Sequence, residues 1–204
     1  MTATLISIVG PPGCGKTTLA AALVDALGAN LIREDYAGNP FLASAYLGDA
    51  AVRLPAQMYF LISRVAQLAE VAWPASGVCV SDYGFCQDRI FARINLSADE
   101  FDLYEPVRQQ METATHPPDL MILLDASEEE LLQRIAARGR QFERVMNSDF
   151  LSQMRQSYAQ ATSDVTCPVI RIDNGERDLR QEANLRSLVG EIRKRLSGVN
   201  SLTG

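Results

Sequence analysis

The stretch that decides the fold is GPPGCGKTT, Gly10 to Thr18. It fits the P-loop form G-x-x-x-x-G-K-[ST], with Gly10, Gly15, Lys16 and Thr17 at the defining positions. The apolar run Leu5 to Val9 in front of it reads as a buried strand, and Thr17 to Leu27 behind it reads as a helix closed by Gly28. In that setting the backbone N–H groups of the loop and of the helix start converge on phosphate. Gly10, Gly13, Cys14, Gly15, Lys16, Thr17 and Thr18 are therefore the expected nucleotide-binding residues. Lys16 would neutralise the β and γ oxygens, and Thr17 would hold Mg²⁺. A glycine turn between strand and helix is the plain structural alternative.

Working outward, apolar segments suited to strands recur at Leu5 to Val9, Asn30 to Ile32, Val78 to Val80, Leu120 to Leu124 and Val169 to Ile172, with helical patterns between them. This alternation predicts an α/β, three-layer P-loop sandwich around a mostly parallel five-stranded sheet. Asn39-Pro40 predicts a capped short helix through about Tyr46, and a long helix is expected from about Ala50 to Ala72, ended by Trp73-Pro74. Ser97 and Glu100 form a capping-box pattern for a third helical tract.

The chain of 204 residues is long enough for one well-buried domain, expected over residues 1–196, with a frayed polar tail over 197–204. Its apolar stretches are broken well before membrane-spanning length, and no basic signal region precedes the first strand, so a cytoplasmic protein with no membrane partner is expected. The cysteines, Cys14, Cys79, Cys86 and Cys167, lack metal-ligand spacing and read as reduced thiols. A net charge of −6 disfavours nucleic acid as a partner, so an anionic ligand would need clustered arginines.

Glu34 and Asp35 follow the second predicted strand, where ligands of open α/β sheets bind, which makes Glu34 a candidate general base or one of an exposed acidic pair. Arg134, Arg138 and Arg140 read either as a mobile arginine lid over a triphosphate or as a solvated basic helix end. Phe41, Tyr59, Phe60 and Phe85 are candidates for stacking walls and equally for ordinary core.

Across roughly residues 5 to 165 the chain resembles the bacterial deoxynucleoside kinases, in the deoxyadenosine and deoxyguanosine kinase branch. The string NPFLASAYLGDAAVRLPAQMYFLISR, Asn39 to Arg64, carries the likeness most specifically. The resemblance implies that Glu34 is the base, five residues before Asn39. It also implies that Tyr46 holds a sugar 3′-hydroxyl, that Gln57 pairs with the nucleobase, and that Arg134, Arg138 and Arg140 form the lid over ATP. Glu143 would join Tyr46 at the 3′-hydroxyl, and a homodimer through the long central helices would follow from the family alone. From the residues themselves, Gln57 reads as a base contact or as a solvent-facing glutamine, and Tyr46 as a sugar contact or a core aromatic.

One motif departs. After the third strand the family carries D-R-S or E-R-S, its acidic residue near the metal and its arginine at the substrate, whereas this chain has Ser81-Asp82-Tyr83. Counting back from Phe91 puts Asp82 at the arginine position. Asp82 is expected either to hold Mg²⁺ with Thr17 or to face the acceptor. Asp88-Arg89 repeats the missing dipeptide seven residues later, where Arg89 either reaches the site or makes a surface ion pair. The favoured expectation is ATP-dependent phosphorylation of a small-molecule deoxynucleoside at its 5′-hydroxyl. Two alternatives stand beside it. One is a thymidylate-kinase-like monophosphate kinase, using Arg33, Arg53 or Arg64 on the acceptor phosphate, and the other is a catalytically weakened nucleotide-binding regulator.

Overall fold

A computed structural model describes residues 2–200. Five parallel strands form one sheet in the order β2-β3-β1-β4-β5: β1 Thr4–Val9, β2 Asn30–Ile32, β3 Val78–Ser81, β4 Leu120–Asp125 and β5 Val169–Asp173. β1 and β4 are almost entirely buried, which is why they read as continuous apolar runs and not as alternating ones. The helices are α1 Lys16–Leu27, α2 Leu42–Tyr46, α3 Arg53–Leu68, α4 Cys86–Asn95, α5 Ala98–Glu112, α6 Glu128–Arg138, α7 Ser148–Ala161 and α8 Glu182–Asn200. One core layer joins the sheet to α1, α6 and α8 through Leu19, Leu23, Ile135 and Leu188. The other, on the side of α3, α4 and α5, is built on Leu61, Leu68, Tyr83 and Tyr104.

Local chemistry sets the helix ends. Gly28 closes α1 and Gly139 closes α6, each in the left-handed conformation that glycine adopts without a Cβ penalty. The capping box of Ser97 and Glu100 forms as expected, and Ser127 with Glu130 makes a second one at α6. The long helix expected over Ala50 to Ala72 is instead a 3₁₀ turn at Ala50–Val52, α3 itself, an extended Ala69, and a second 3₁₀ turn at Glu70–Ala72. Tertiary partners explain the break: Leu68 O accepts from His116 N at 2.7 Å, and Glu70 N donates to Ala114 O at 3.2 Å, so these groups leave the helical ladder.

α8 continues to Asn200, into the segment expected as a tail, while residues 201–204 of that tail lie outside the described residues. Among the described residues no helix is long and apolar enough to cross a membrane.

Candidate active site

Beyond the carboxyl ends of β1, β2 and β3 opens a cavity of about 1120 Å³. The P-loop forms one end. Gly15 sits at φ 99° just before α1, and Gly10 at φ 145° packs so closely under the Leu124 carbonyl that a Cβ would collide with it. Gly13, Gly15, Lys16, Thr17 and Thr18 line the cavity; Gly10 and Cys14 are buried beneath it and shape the loop instead. Burial pushes the Cys14 thiol above its ordinary range, against the opposing pull of Lys16. Lys16 Nζ donates to the carbonyls of Gly10 at 2.8 Å and Pro11 at 3.0 Å. Asn174, after β5, braces the loop by donating to Cys14 O at 2.8 Å.

Asp82 is the first residue past β3, and its carboxylate ties two segments together. Thr17 Oγ1 donates to Oδ2 at 2.7 Å, and the Glu34 backbone N–H donates to Oδ1 at 2.9 Å. One oxygen thus meets the P-loop and the other meets the segment that carries Glu34. The residue that follows it is Tyr83. That tyrosine is fully buried, with its hydroxyl donating to Gln67 at 2.6 Å. Thr17 Oγ1 and the Asp82 carboxylate are hard oxygen donors, which fits Mg²⁺. Among the described residues no three His, Cys, Asp or Glu side chains converge as a metal cage.

Opposite the loop stands a wall of buried charge. Arg64 of α3 is only 3% exposed and pairs with both Glu34 and Asp88, the latter at 2.6 Å and wholly buried. Burial works against the guanidinium's charge, but Asp88 and then Glu34 overcome it and raise its pKa above the ordinary value. Gln87 Nε2 also donates to Glu34 Oε1, at 2.5 Å, and Tyr158 holds Gln87 in turn by donating to its Oε1 at 2.9 Å. Tyr104 donates to Asp88 Oδ1 at 3.2 Å. Gln57 is buried on the same wall and lines the cavity, with Nε2 donating to Asp88 O at 3.1 Å, so its solvent-facing alternative is excluded.

The roof comes from α6 and the turn after it. Arg134 donates to Asn174 O at 3.1 Å. Arg138 grips the buried Glu143 by two bonds, at 2.9 and 2.7 Å, and Arg140 pairs with it at 3.3 Å while lying 3.9 Å from the Tyr36 ring centre. Tyr46 lies beneath, its ring centre 5.5 Å from that of Phe142, and burial, then Glu34 and Glu143, keep its phenol protonated well beyond the usual range. Of the aromatics considered for stacking walls, Phe60 lines the cavity and Phe41, Tyr59 and Phe85 do not. Arg89 does not line it either: it is half-exposed and pairs with Glu105 at 3.0 Å. Of the arginines weighed for an acceptor phosphate, Arg53 and Arg64 line the cavity, Arg64 committed to its two carboxylates, and Arg33 stays outside.

Sequence reasoning missed Gln87, Tyr104 and Asn174, gave Asp88 no role beyond the repeated dipeptide, and weighed Arg64 only for a phosphate. A signal for Arg64 was present. It falls in the spacing of Gln57, Leu61 and Leu68, the buried stripe of α3, where an arginine needs a buried partner.

A P-loop, a strand-end carboxylate at its threonine, three arginines on and just after α6, and an acidic side chain bordering the same cavity define the class as a P-loop phosphotransferase. A family model described as deoxynucleoside kinase matches residues 6–197, and the chain belongs to that family. It is 30% identical over 185 residues to the deoxyguanosine kinase of Bacillus subtilis (strain 168), covering 87% of this chain and 89% of the relative. To the deoxyadenosine kinase of Dictyostelium discoideum it is 32% identical over 180 residues, covering 85% and 73%. The solved structure of M. mycoides deoxyadenosine kinase with bound dCTP shares the fold, with a TM-score of 0.77 at 21% identity over 94% of this chain and 100% of that one.

Proposed function

We propose that the protein transfers the γ-phosphoryl group of ATP to the 5′-hydroxyl of a deoxynucleoside. The observation that carries this reading is the attitude of Glu34. Its Oε1 accepts from Arg64 and Gln87, while Oε2 has no partner among the described residues and the side chain borders the cavity shared with the P-loop. A carboxylate held by one oxygen offers the other to the acceptor hydroxyl. Tyr46 and Glu143 would hold the sugar and Gln57 the base. Lys16, Arg134, Arg138 and Arg140 would stabilise the transferring phosphoryl. Mg²⁺ at Thr17 and Asp82 would supply charge neutralisation on the phosphates. Arg138 and Arg140 would then exchange Glu143 for phosphate oxygens as the lid closes. Membership of the kinase family supports the reading, and a cytoplasmic role in nucleotide salvage, in a homodimer, goes with it.

The test is Glu34→Gln, which keeps shape and removes the proton acceptor. Its kcat should fall by roughly 10²- to 10⁴-fold with deoxynucleoside affinity nearly unchanged. Lost affinity with a surviving kcat would make Glu34 a binding residue.

A further inference from the structure

We propose that Tyr36 is a positioning residue for phosphoryl transfer: its ring seats the guanidinium of Arg140 and keeps it aimed into the cavity while the hydrogen bonds of that guanidinium change partners. The inference rests on the reading of Arg140 as a phosphate-binding arginine. Both side chains line the cavity, and the guanidinium carbon lies over the ring, 3.9 Å from its centre. The other arginine–ring contacts among the described residues are looser, at 4.9 to 5.9 Å. A guanidinium rests on an aromatic ring by its flat face and donates hydrogen bonds from its edge, so the two kinds of contact do not compete. The edge of Arg140 is engaged at 3.3 Å by Glu143 Oε1, an atom that Arg138 already holds at 2.7 Å. That bond is the one given up to a phosphate oxygen, and the ring keeps its hold through the exchange. Without such a seat, ordering the long side chain on the phosphate would cost rotamer entropy at that moment. The seat itself is fixed, because the segment is pinned on both sides of Tyr36. Glu34 N donates to Asp82 Oδ1 at 2.9 Å, and the Asp35 carboxylate accepts from the Tyr59 hydroxyl at 2.6 Å and from Gly38 N at 2.9 Å. Gly38 lies so close to Asp35 and Tyr59 that a Cβ there would collide with both. Glu34 and the seat of Arg140 thus share one piece of backbone, two residues apart.

Substitutions at both positions test this. The readouts are kcat/KM for ATP and, by calorimetry without ATP, the affinity for deoxyadenosine and for deoxyguanosine. Tyr36→Phe and Tyr36→Trp keep an aromatic face and should hold kcat/KM for ATP within about twofold of wild type. Tyr36→Leu keeps apolar bulk without the face and should lower it by about tenfold, the order of a cation–π contact partly shielded from water. Beside Arg140→Met the same Tyr36→Leu should cost less than about twofold, since the partner of the ring is already gone. Affinity for either nucleoside should stay within about twofold of wild type in the Tyr36 variants. A tenfold loss that persists beside Arg140→Met overturns the proposal, as does a Tyr36→Phe protein as impaired as Tyr36→Leu. So does nucleoside affinity that falls in step with the rate, which would make Tyr36 a nucleoside contact. Wild-type kcat/KM for ATP in Arg140→Met alone would overturn the place of Arg140 on the phosphoryl group, a result read without touching Tyr36. If Tyr36→Leu does not fold, Tyr36→Met is a second ringless variant and carries the same comparison.

Discussion

The two ends of the cavity are made in different ways. At the phosphate end one continuous stretch, Gly10 to Thr18, supplies nearly everything, and it works through backbone N–H groups and a single lysine. At the opposite end the groups are gathered from five separate parts of the chain. Glu34 follows β2, Arg64 is on α3, Gln87 and Asp88 are on α4, Tyr104 is on α5 and Tyr158 on α7. The first end depends on local geometry, so damage to it should be chemical and leave the fold standing. The second is a buried polar network whose members support one another across the core, so damage to it should reach stability as well as rate.

The sharpest way to break that contrast is at the phosphate end. Lys16→Ala removes charge that follows the transferring phosphoryl, and kcat should fall by about a hundredfold or more. The thermal midpoint should hardly move, since the bonds lost run to groups of the loop itself, the carbonyls of Gly10 and Pro11 and, at 4.0 Å, the Cys14 sulfur. A variant that keeps more than about a tenth of wild-type kcat would deny Lys16 that role.

Alkaline pH probes the other end. Burial is the first cause that raises the phenols of Tyr46, Tyr83, Tyr104 and Tyr158 above their ordinary value, and it pushes the Cys86 thiol up to about 12. The folded chain thus keeps protons that the unfolded chain releases, from about pH 9 for the thiol and about pH 10 for the phenols. These groups cost nothing below their unfolded values, and stability falls as pH rises past them, by about 1.4 kcal/mol per pH unit for each group. Absorbance at the tyrosinate band should show these four phenols ionising only as circular dichroism reports loss of the fold. Reversible ionisation of all six tyrosines in a folded chain would contradict the buried wall.

Between the two ends lies Asp82, bonded to the P-loop through Thr17 and to the acceptor side through the Glu34 backbone. If its service is to the metal, Asp82→Asn should raise the Mg²⁺ concentration for half-maximal rate by about tenfold and leave deoxynucleoside KM nearly unchanged. A changed nucleoside KM at saturating Mg²⁺ would place it with the acceptor wall instead.

The same contrast explains what the sequence discloses. A loop that binds phosphate through its own backbone must carry its glycines and lysine in order, so Gly10 to Thr18 can be read directly. The five strands lie within a residue of their expected bounds, because runs such as Leu120 to Leu124 must be apolar on both faces. Gly28 and Gly139 mark helix ends for an equally local reason. The partnership of Arg64 with Glu34 and Asp88 spans 30 and 24 residues and is made by packing α3 against α4 and the end of β2. No local rule fixes it, and only the buried stripe of α3 hints at it. The extended Ala69 is hidden in the same way, since its cause is the segment at Ala114 to His116.

The smallest expected effect falls beside one of the largest. Asp88 and Arg89 are adjacent on α4, yet Asp88 is wholly buried against Arg64 while Arg89 points outward, half-exposed, to Glu105. An exposed ion pair has high-dielectric water around it and gives back much of its attraction in side-chain ordering, so it contributes about 0–1 kcal/mol. Glu105 is in addition bonded by Arg108 at 2.9 Å, so it keeps a partner when Arg89 is removed. Arg89→Met should therefore change unfolding free energy by less than about 0.5 kcal/mol. Its kcat and nucleoside KM should match wild type at low and high salt alike, because no step of the reaction uses this side chain. Asp88→Ala, one residue away, strands a buried guanidinium and should cost about 3–5 kcal/mol. Denaturant titrations of the two proteins side by side measure the difference. If Arg89→Met lost kcat by more than about threefold, a salt-screened contribution from outside the cavity would have to be added to the site, and the sharp line drawn here between the buried wall and the surface of α4 would fall.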